Sequence, residues 1–257
     1  MKLLNKYGIQ LRGIEDGIYV FRNEDEYCRD RSIVADILNS DIKNKNYKII
    51  SLGSACFAHN TMKSYGLKMQ EYEGELSHPF DRCTVKTKNI SKILDDNFLQ
   101  LCNPIHIING EHKLYEMGFP HDIELFDDTK NNINFIISYL RKIANFYEDI
   151  YSGKYIFFIN HNDCGSMEKL TEYSMDIISV LNKKFKQNIK YKFIMINTQL
   201  TEVPSCFDNI DNIYLYLPYP DTKFVWYLPE CIQTDIGMEF AITTVEAVKD
   251  IILRNLK

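Results

Sequence analysis

Tyr47-Lys-Ile-Ile-Ser-Leu-Gly53-Ser54-Ala55-Cys56 decides how this chain is read. Its first half is an apolar run of strand length, too continuous for a strand with one wet face. Gly53 ends the run, and Ser54 stands where a helix starting near Ala55 wants its cap. Downstream the pattern recurs. Lys154-Tyr-Ile-Phe-Phe-Ile-Asn160, Tyr191-Lys-Phe-Ile-Met-Ile-Asn197 and Asn212-Ile-Tyr-Leu-Tyr-Leu-Pro218 are further strand candidates.

Helical periodicity fills the gaps between them. From Thr129 to Ile150, Ile133, Ile136, Ile137, Leu140, Ala144 and Tyr147 recur every three or four residues. Ser166 is placed to cap a helix striped by Leu170, Tyr173, Ile177, Leu181 and Phe185, and a last helix runs from Gly237 to Leu256. Lys88 to Leu101 also reads as helix, and 102–128 as irregular, with short strands around Ile105–Ile108 and His112–Glu116. Apolar strands alternating with amphipathic helices predict an α/β fold: a mainly parallel, Rossmann-like sheet of four or five strands, flanked by helices on both faces. Its strand order stays open. Residues 8–22, GIQLRGIEDGIYVFR, read as a β-hairpin around Glu-Asp-Gly, followed by a short helix from Arg29 to Leu38. The expected organisation is a small hairpin annex over 1–45 and an α/β domain over 46–257.

With 45% hydrophobic residues, 15 Phe and 17 Tyr, the 257-residue chain can bury a sizeable core. The net charge is −5, and the densest basic run (Lys183, Lys184, Lys186, Lys190, Lys192) surrounds an expected helix end. A general nucleic-acid footprint is therefore not expected. Met1 to Tyr7 does not read as a secretory signal, and no apolar run reaches the roughly 20 residues of a membrane span. Seven scattered cysteines without a CxxC pair predict reduced thiols and a cytoplasmic location.

In parallel α/β sheets, ligands bind beyond the carboxyl ends of the strands. Here those ends carry Ser51, Gly53, Ser54 and Cys56; Asn160, His161, Asn162 and Asp163; Asn197, Thr198 and Gln199; and Tyr219 and Asp221. Cys56, in the first turn of a helix, would have its thiolate stabilised by the helix dipole and free N–H groups, which also suit an oxyanion. It can equally be a small side chain buried between helix and sheet. A base is available in His161 with Asp163 nearby, or in His121 with Asp122; His59 lies one helical turn beyond Cys56. Cys56-x-x-His59 and His161-x-x-Cys164 are each spaced like half a zinc site, but they are distant and sit on different elements. No metal or cofactor is expected. One glycine and no P-loop lysine make the first turn a poor nucleotide fingerprint. A non-catalytic module binding a nucleotide, a sugar nucleotide or a protein is the alternative to an enzyme.

Ile50-Ser-Leu-Gly-Ser-Ala-Cys56, His78-Pro-Phe-Asp81 and Gly118-Phe-Pro-His-Asp122 occur in this order. Together they resemble an uncharacterised bacterial and viral family labelled papain-like cysteine peptidases, over roughly residues 47–160. That resemblance implies Cys56 as nucleophile, His121 as base, and Asp122 or Asp81 as orienting or structural partners, with Arg141 matching an arginine of the family's next helix. Arg82 stands where the family usually has Trp. A papain core pairs a helix bundle with an antiparallel barrel, whereas this sequence alternates β and α. Its strand–Gly–helix turn and Asn160-His-Asn-Asp163 are closer to SGNH-type hydrolases and acyltransferases, whose asparagine donates to the oxyanion; Ser54, Asn162, His161, Asp163 and Arg141 become the candidate substrate-binding set. The expectation is a cysteine-dependent hydrolase or acyltransferase acting on an ester, thioester or amide of a small-molecule or peptide substrate.

Overall fold

A computed structural model describes residues 2–16, 18–40, 42, 46–70, 74–126, 131–162, 164–207 and 209–256. In chain order the elements are α1 (Lys2–Lys6), β1 (Ile14–Glu15), β2 (Ile18–Tyr19), α2 (Glu24–Asn39), β3 (Tyr47–Ser51), α3 (Phe57–Ser64), β4 (Thr84–Val85), α4 (Thr87–Asp95), β5 (Ile107–Ile108), β6 (Glu111–His112), β7 (Met117–Gly118), α5 (Ile133–Ile150), β8 (Tyr155–Asn162), α6 (Met167–Phe185), β9 (Tyr191–Asn197), β10 (Asn212–Tyr216), α7 (Pro229–Ile232) and α8 (Asp235–Asn255).

The four apolar runs pair in parallel as one sheet, ordered β10-β9-β8-β3. Its register sets Ser51 opposite Ile159, and Asn162 opposite Asn197. The order runs one way, so this sheet has no reversal of the kind that makes a dinucleotide crevice. On one face Ile50, Leu52, Ile156, Phe158, Phe193 and Met195 join the core built with α4, α5 and α6. Phe146 and Phe158 each contact Phe185 in that core. A second, antiparallel sheet of two-residue strands is ordered β4-β7-β6-β5; β5, β6 and β7 lie within 102–128, β5 and β6 at or beside the short strands expected there, and β4 precedes α4. An isolated bridge, Ser54 to Val85, ties it to the turn after β3.

By internal contacts the chain divides into two units, Asn46–His59 with Glu71–Tyr216, and Met1–Lys45 with Asn60–Gln70 and Leu217–Lys257. The first 45 residues thus share a unit with the C-terminal segment. Phe21 bridges to Thr234, and Arg22 N–H donates to the Gln233 carbonyl.

Several boundaries differ from the sequence expectation for physical reasons. Helix α2 begins at Glu24, five residues early, because Asn23 and Glu26 form a reciprocal capping box. Helix α4 stops at Asp95, since Asn97 and Phe98 take left-handed φ values of 57° and 62°. Thr234, accepting from the Gly237 N–H, starts α8 two residues early. Ser166 caps α6, accepting from the Lys169 N–H. The hairpin's strands are only two residues each. Its Gly17, and Thr129 at the expected start of α5, lie outside the described residues. Among the described residues no helix is long and apolar enough to cross a membrane.

Candidate functional site

The turn after β3 is held on both sides. Leu52 N–H donates to the Ile159 carbonyl at 2.8 Å, and His161 N–H to the Gly53 carbonyl at 3.4 Å. Ser54 Oγ donates to the His161 carbonyl at 2.5 Å, so the hydroxyl expected to cap a helix instead fastens the turn to β8. On the other side Val85 N–H donates to the Ser54 carbonyl at 2.9 Å. Only glycine fits at position 53: its φ is +74°, and a Cβ there would lie 2.6 Å from Val85 Cγ1.

This turn delivers Cys56 to the residue before α3, where it is 4% exposed. Its Sγ approaches the Cys83 carbonyl at 3.7 Å. Burial pushes the thiol up to about 11, with Asp81 and Asp122 adding to the effect. Its backbone hydrogen bond and the charge of Arg82 pull the other way without prevailing. The resting thiol therefore lies above the ordinary cysteine value, not below it as the helix-start argument expects, because desolvation outweighs the local dipole.

Beside it runs a buried chain of titratable groups, each at most 7% exposed. Asp81, the last residue of His78-Pro-Phe-Asp81, accepts from His78 N–H at 2.8 Å and lies 3.1 Å from His59 Nδ1. His78 Nε2 is 3.0 Å from Asp149, which lies 3.0 Å from Lys48 Nζ, itself 3.2 Å from Glu75. Burial opposes charge on Lys48, but Asp149 and Glu75 together hold its pKa above the ordinary value. Burial likewise opposes charge on Asp149, yet His78 and Lys48 hold it below the usual carboxylate range.

A second buried pair lies within electrostatic range of Cys56 and Cys83: Asp122 accepts from Lys142 Nζ at 2.6 Å and from Tyr139 Oη at 3.1 Å. The expected pairing of Asp122 with His121 is not what its carboxylate does. His121 is exposed and, among the described residues, has no hydrogen-bond partner. Arg141 is exposed too; the buried cation of α5 is its neighbour Lys142, which falls on the Phe135-Tyr139-Lys142-Phe146-Asp149 stripe.

His161 is buried, with the Phe57 ring 4.3 Å from its own, and burial brings its pKa down to about 4. It alternates to the opposite face of β8 from Asn160 and Asn162. Asn162 Oδ1 accepts from Cys164 N–H at 2.8 Å, while its Nδ2 is buried with no partner among the described residues. Asp163 lies outside the described residues. The two half-sites for zinc do not come together: among the described residues no three His, Cys, Asp or Glu side chains could hold a metal ion.

Sequence reasoning passed over Lys48, Glu75, Asp149 and Lys142. One of them had a readable signal: Lys48 is a charge inside an apolar strand, and a buried charge there needs a partner. Asp149 lies off the stripe read from sequence, whose Ile133, Ile137, Leu140 and Ala144 are exposed, and on the buried Phe135-Tyr139-Lys142-Phe146 face instead. Comparison with known proteins adds no relative: no family model, curated protein or solved structure matches the chain.

Proposed function

We propose that this protein is a cysteine-dependent hydrolase or acyltransferase with Cys56 as its nucleophile, the activity implied by the resemblance to the family labelled papain-like cysteine peptidases. The observation that carries the reading is the buried His59–Asp81 pair, 3.1 Å apart, on the helical turn that follows Cys56. A carboxylate on Nδ1 fixes the proton there and makes Nε2 the basic nitrogen, the orientation a cysteine nucleophile needs from its base. Asp81 therefore keeps the orienting role given it by the motif, whereas His59 replaces the exposed His121 as base.

Cys56 Sγ attacks the carbonyl carbon as its proton passes to His59, and that proton then goes to the departing amine, alcohol or thiol. Water, or an acceptor in a transferase, attacks the resulting thioester and regenerates the thiol. Because burial raises the resting thiol, deprotonation accompanies attack instead of preceding it as a stored ion pair. Backbone N–H groups at the start of α3 and Asn162 Nδ2 are the oxyanion donors.

On a panel of activated esters, thioesters and amides, Cys56→Ala should lower turnover by about 10³-fold or more, and His59→Ala by roughly 10²- to 10⁴-fold. Full turnover by Cys56→Ala would end the proposal. The burial of Cys56 favours a second reading, a binding module without catalysis. It requires iodoacetamide alkylation of Cys56 to titrate near 11, unchanged in His59→Ala and His121→Ala, with no turnover on any ester.

A further inference from the structure

Three asparagines occupy one face at the carboxyl edge of the parallel sheet: Asn160 and Asn162 on β8, and Asn197 opposite Asn162 on β9. Asn197 is fully committed to local structure. Its Nδ2 donates to the Cys164 carbonyl at 3.2 Å, and its Oδ1 accepts from Gln199 N–H at 2.9 Å and Leu200 N–H at 2.7 Å. The two on β8 are each half used. Asn160 Nδ2 donates to the Leu52 carbonyl at 3.0 Å, and among the described residues its Oδ1 is buried and unpaired. Asn162 Oδ1 accepts from Cys164 N–H, and among the described residues its Nδ2 is buried and unpaired.

The occupied halves fix which atom is which, since flipping either amide would set donor against donor or acceptor against acceptor. One strand face therefore offers a free acceptor and a free donor, both neutral, on side chains 0% and 4% exposed. Buried polar atoms of this kind are normally satisfied, and two in alternate positions of one strand call for a partner with the complementary pair.

We propose that Asn160 and Asn162 form a two-point site for a secondary amide, Asn160 Oδ1 accepting its N–H and Asn162 Nδ2 donating to its carbonyl. Residues two apart on a strand are about 6.6 Å apart. A planar trans amide carries its N–H and C=O pointing in opposite directions, the one donor and one acceptor that complement this pair. The site adjoins the nucleophile turn: Ser54 fastens to the carbonyl of His161, the residue between the two asparagines, and Cys56 follows two residues later. For its reaction the assignment rests on the acyl-transfer reading, and it narrows the substrate from ester, thioester or amide to amide. Esters and thioesters lack the N–H and would leave Asn160 Oδ1 unpaired.

The test follows the Asn162 side-chain amide signals by NMR in the ¹⁵N-labelled full chain, with N-methylacetamide and methyl acetate as probes. N-methylacetamide should move those signals saturably, and methyl acetate should need roughly tenfold more or worse for the same response. Asn162→Asp keeps the acceptor for Cys164 N–H but converts the free donor into an acceptor, so it should weaken N-methylacetamide binding tenfold or more, read at the Cys164 backbone amide. Equal responses to the two probes would overturn the proposal. So would unmoved Asn162 signals that show contact with a long-lived water only. If Asn162→Asp does not fold, the wild-type comparison of probes still decides. Neither measurement uses turnover, so a failed activity assay strikes the Cys56 reading alone, and failed amide binding strikes this site alone.

Discussion

Two buried ionic clusters, one in each unit, solve the same physical problem differently. In the unit containing the chain termini, Arg22 is 0% exposed and every nitrogen is engaged. Its Nε donates to Asp30 at 2.8 Å, Nη1 to the Gln233 carbonyl at 3.3 Å, and Nη2 to the Gln10 carbonyl at 2.8 Å, while Asp235 pairs with it at 2.8 Å. Asp235 also accepts from the Arg12 and Gly13 N–H groups, which fastens the hairpin segment. In the other unit the chain from His59 to Glu75 is joined end to end. Among the described residues both clusters leave buried polar atoms without a hydrogen bond, Asp235 Oδ1 in the Arg22 cluster as well as His78 Nδ1 and Glu75 Oε1 in the His59 chain. The clusters differ in the kind of charge they hold: the Arg22 clamp carries a fixed charge on a guanidinium, whereas the His59 chain is built largely from groups that gain and lose protons. Titratable groups of that kind are where function resides.

The largest consequence falls on the clamp. Arg22→Leu strands Asp30 and Asp235 as buried charges, and should destabilise the fold by about 3–5 kcal/mol. Urea unfolding would show this as a lowered midpoint at every pH from 5 to 8, because the lost charge does not titrate. A cost below about 1 kcal/mol would erase the distinction between the clusters, since it would mean the clamp is dispensable.

Lys48→Met should cost less, about 2–3 kcal/mol at pH 8, because Asp149 keeps its 3.0 Å contact with His78 Nε2. Urea midpoints of wild type and variant at pH 8 measure the penalty. One as large as that of Arg22→Leu would make the His59 chain a second clamp and remove the physical reason to associate it with chemistry.

The strands, the Gly53 turn and the α6 helix were legible in sequence because each follows from local periodicity or a backbone requirement that one residue meets. The existence of α5 was legible too, but not its buried face: Ile133, Ile137, Leu140 and Ala144 of the stripe read from sequence are exposed, and Phe135, Tyr139, Lys142, Phe146 and Asp149 are buried instead. The α2 start was equally local, written in Asn23 and Glu26. What resisted reading was long-range. Nothing near Ser54 says that its hydroxyl will fasten to β8, 107 residues away in sequence, instead of capping a helix. The base shows the same limit. His59, His121 and His161 were all visible as candidates, but the environments that separate them come from partners far along the chain: Asp81 for His59, a desolvating Phe57 for His161, and open solvent for His121. Arg141 and Lys142 differ by one residue, and only the phase of the α5 stripe decides which is buried.

The smallest expected effect concerns Asp149, and its sign is fixed by linkage. Its folded pKa is held below the ordinary carboxylate value, so its contribution to stability is fully present above the unfolded value, near 4, and is lost as the pH falls through the folded pKa. Asp149→Asn removes that contribution and should cost about 1–2 kcal/mol at pH 7, where His78 and Lys48 lose a charged acceptor. Wild type and variant should then converge in stability as the pH falls through the depressed pKa of the native carboxylate. The comparison is made by urea midpoints at pH 7, 5, 4 and 3. Parallel curves, with the same gap at every pH, would show that Asp149 acts through packing and not through charge, and the chain from His59 to Glu75 would then be a set of contacts without electrostatic coupling. Convergence would show that the charge on Asp149 is felt by the fold, which is the property a buried relay beside Cys56 must have.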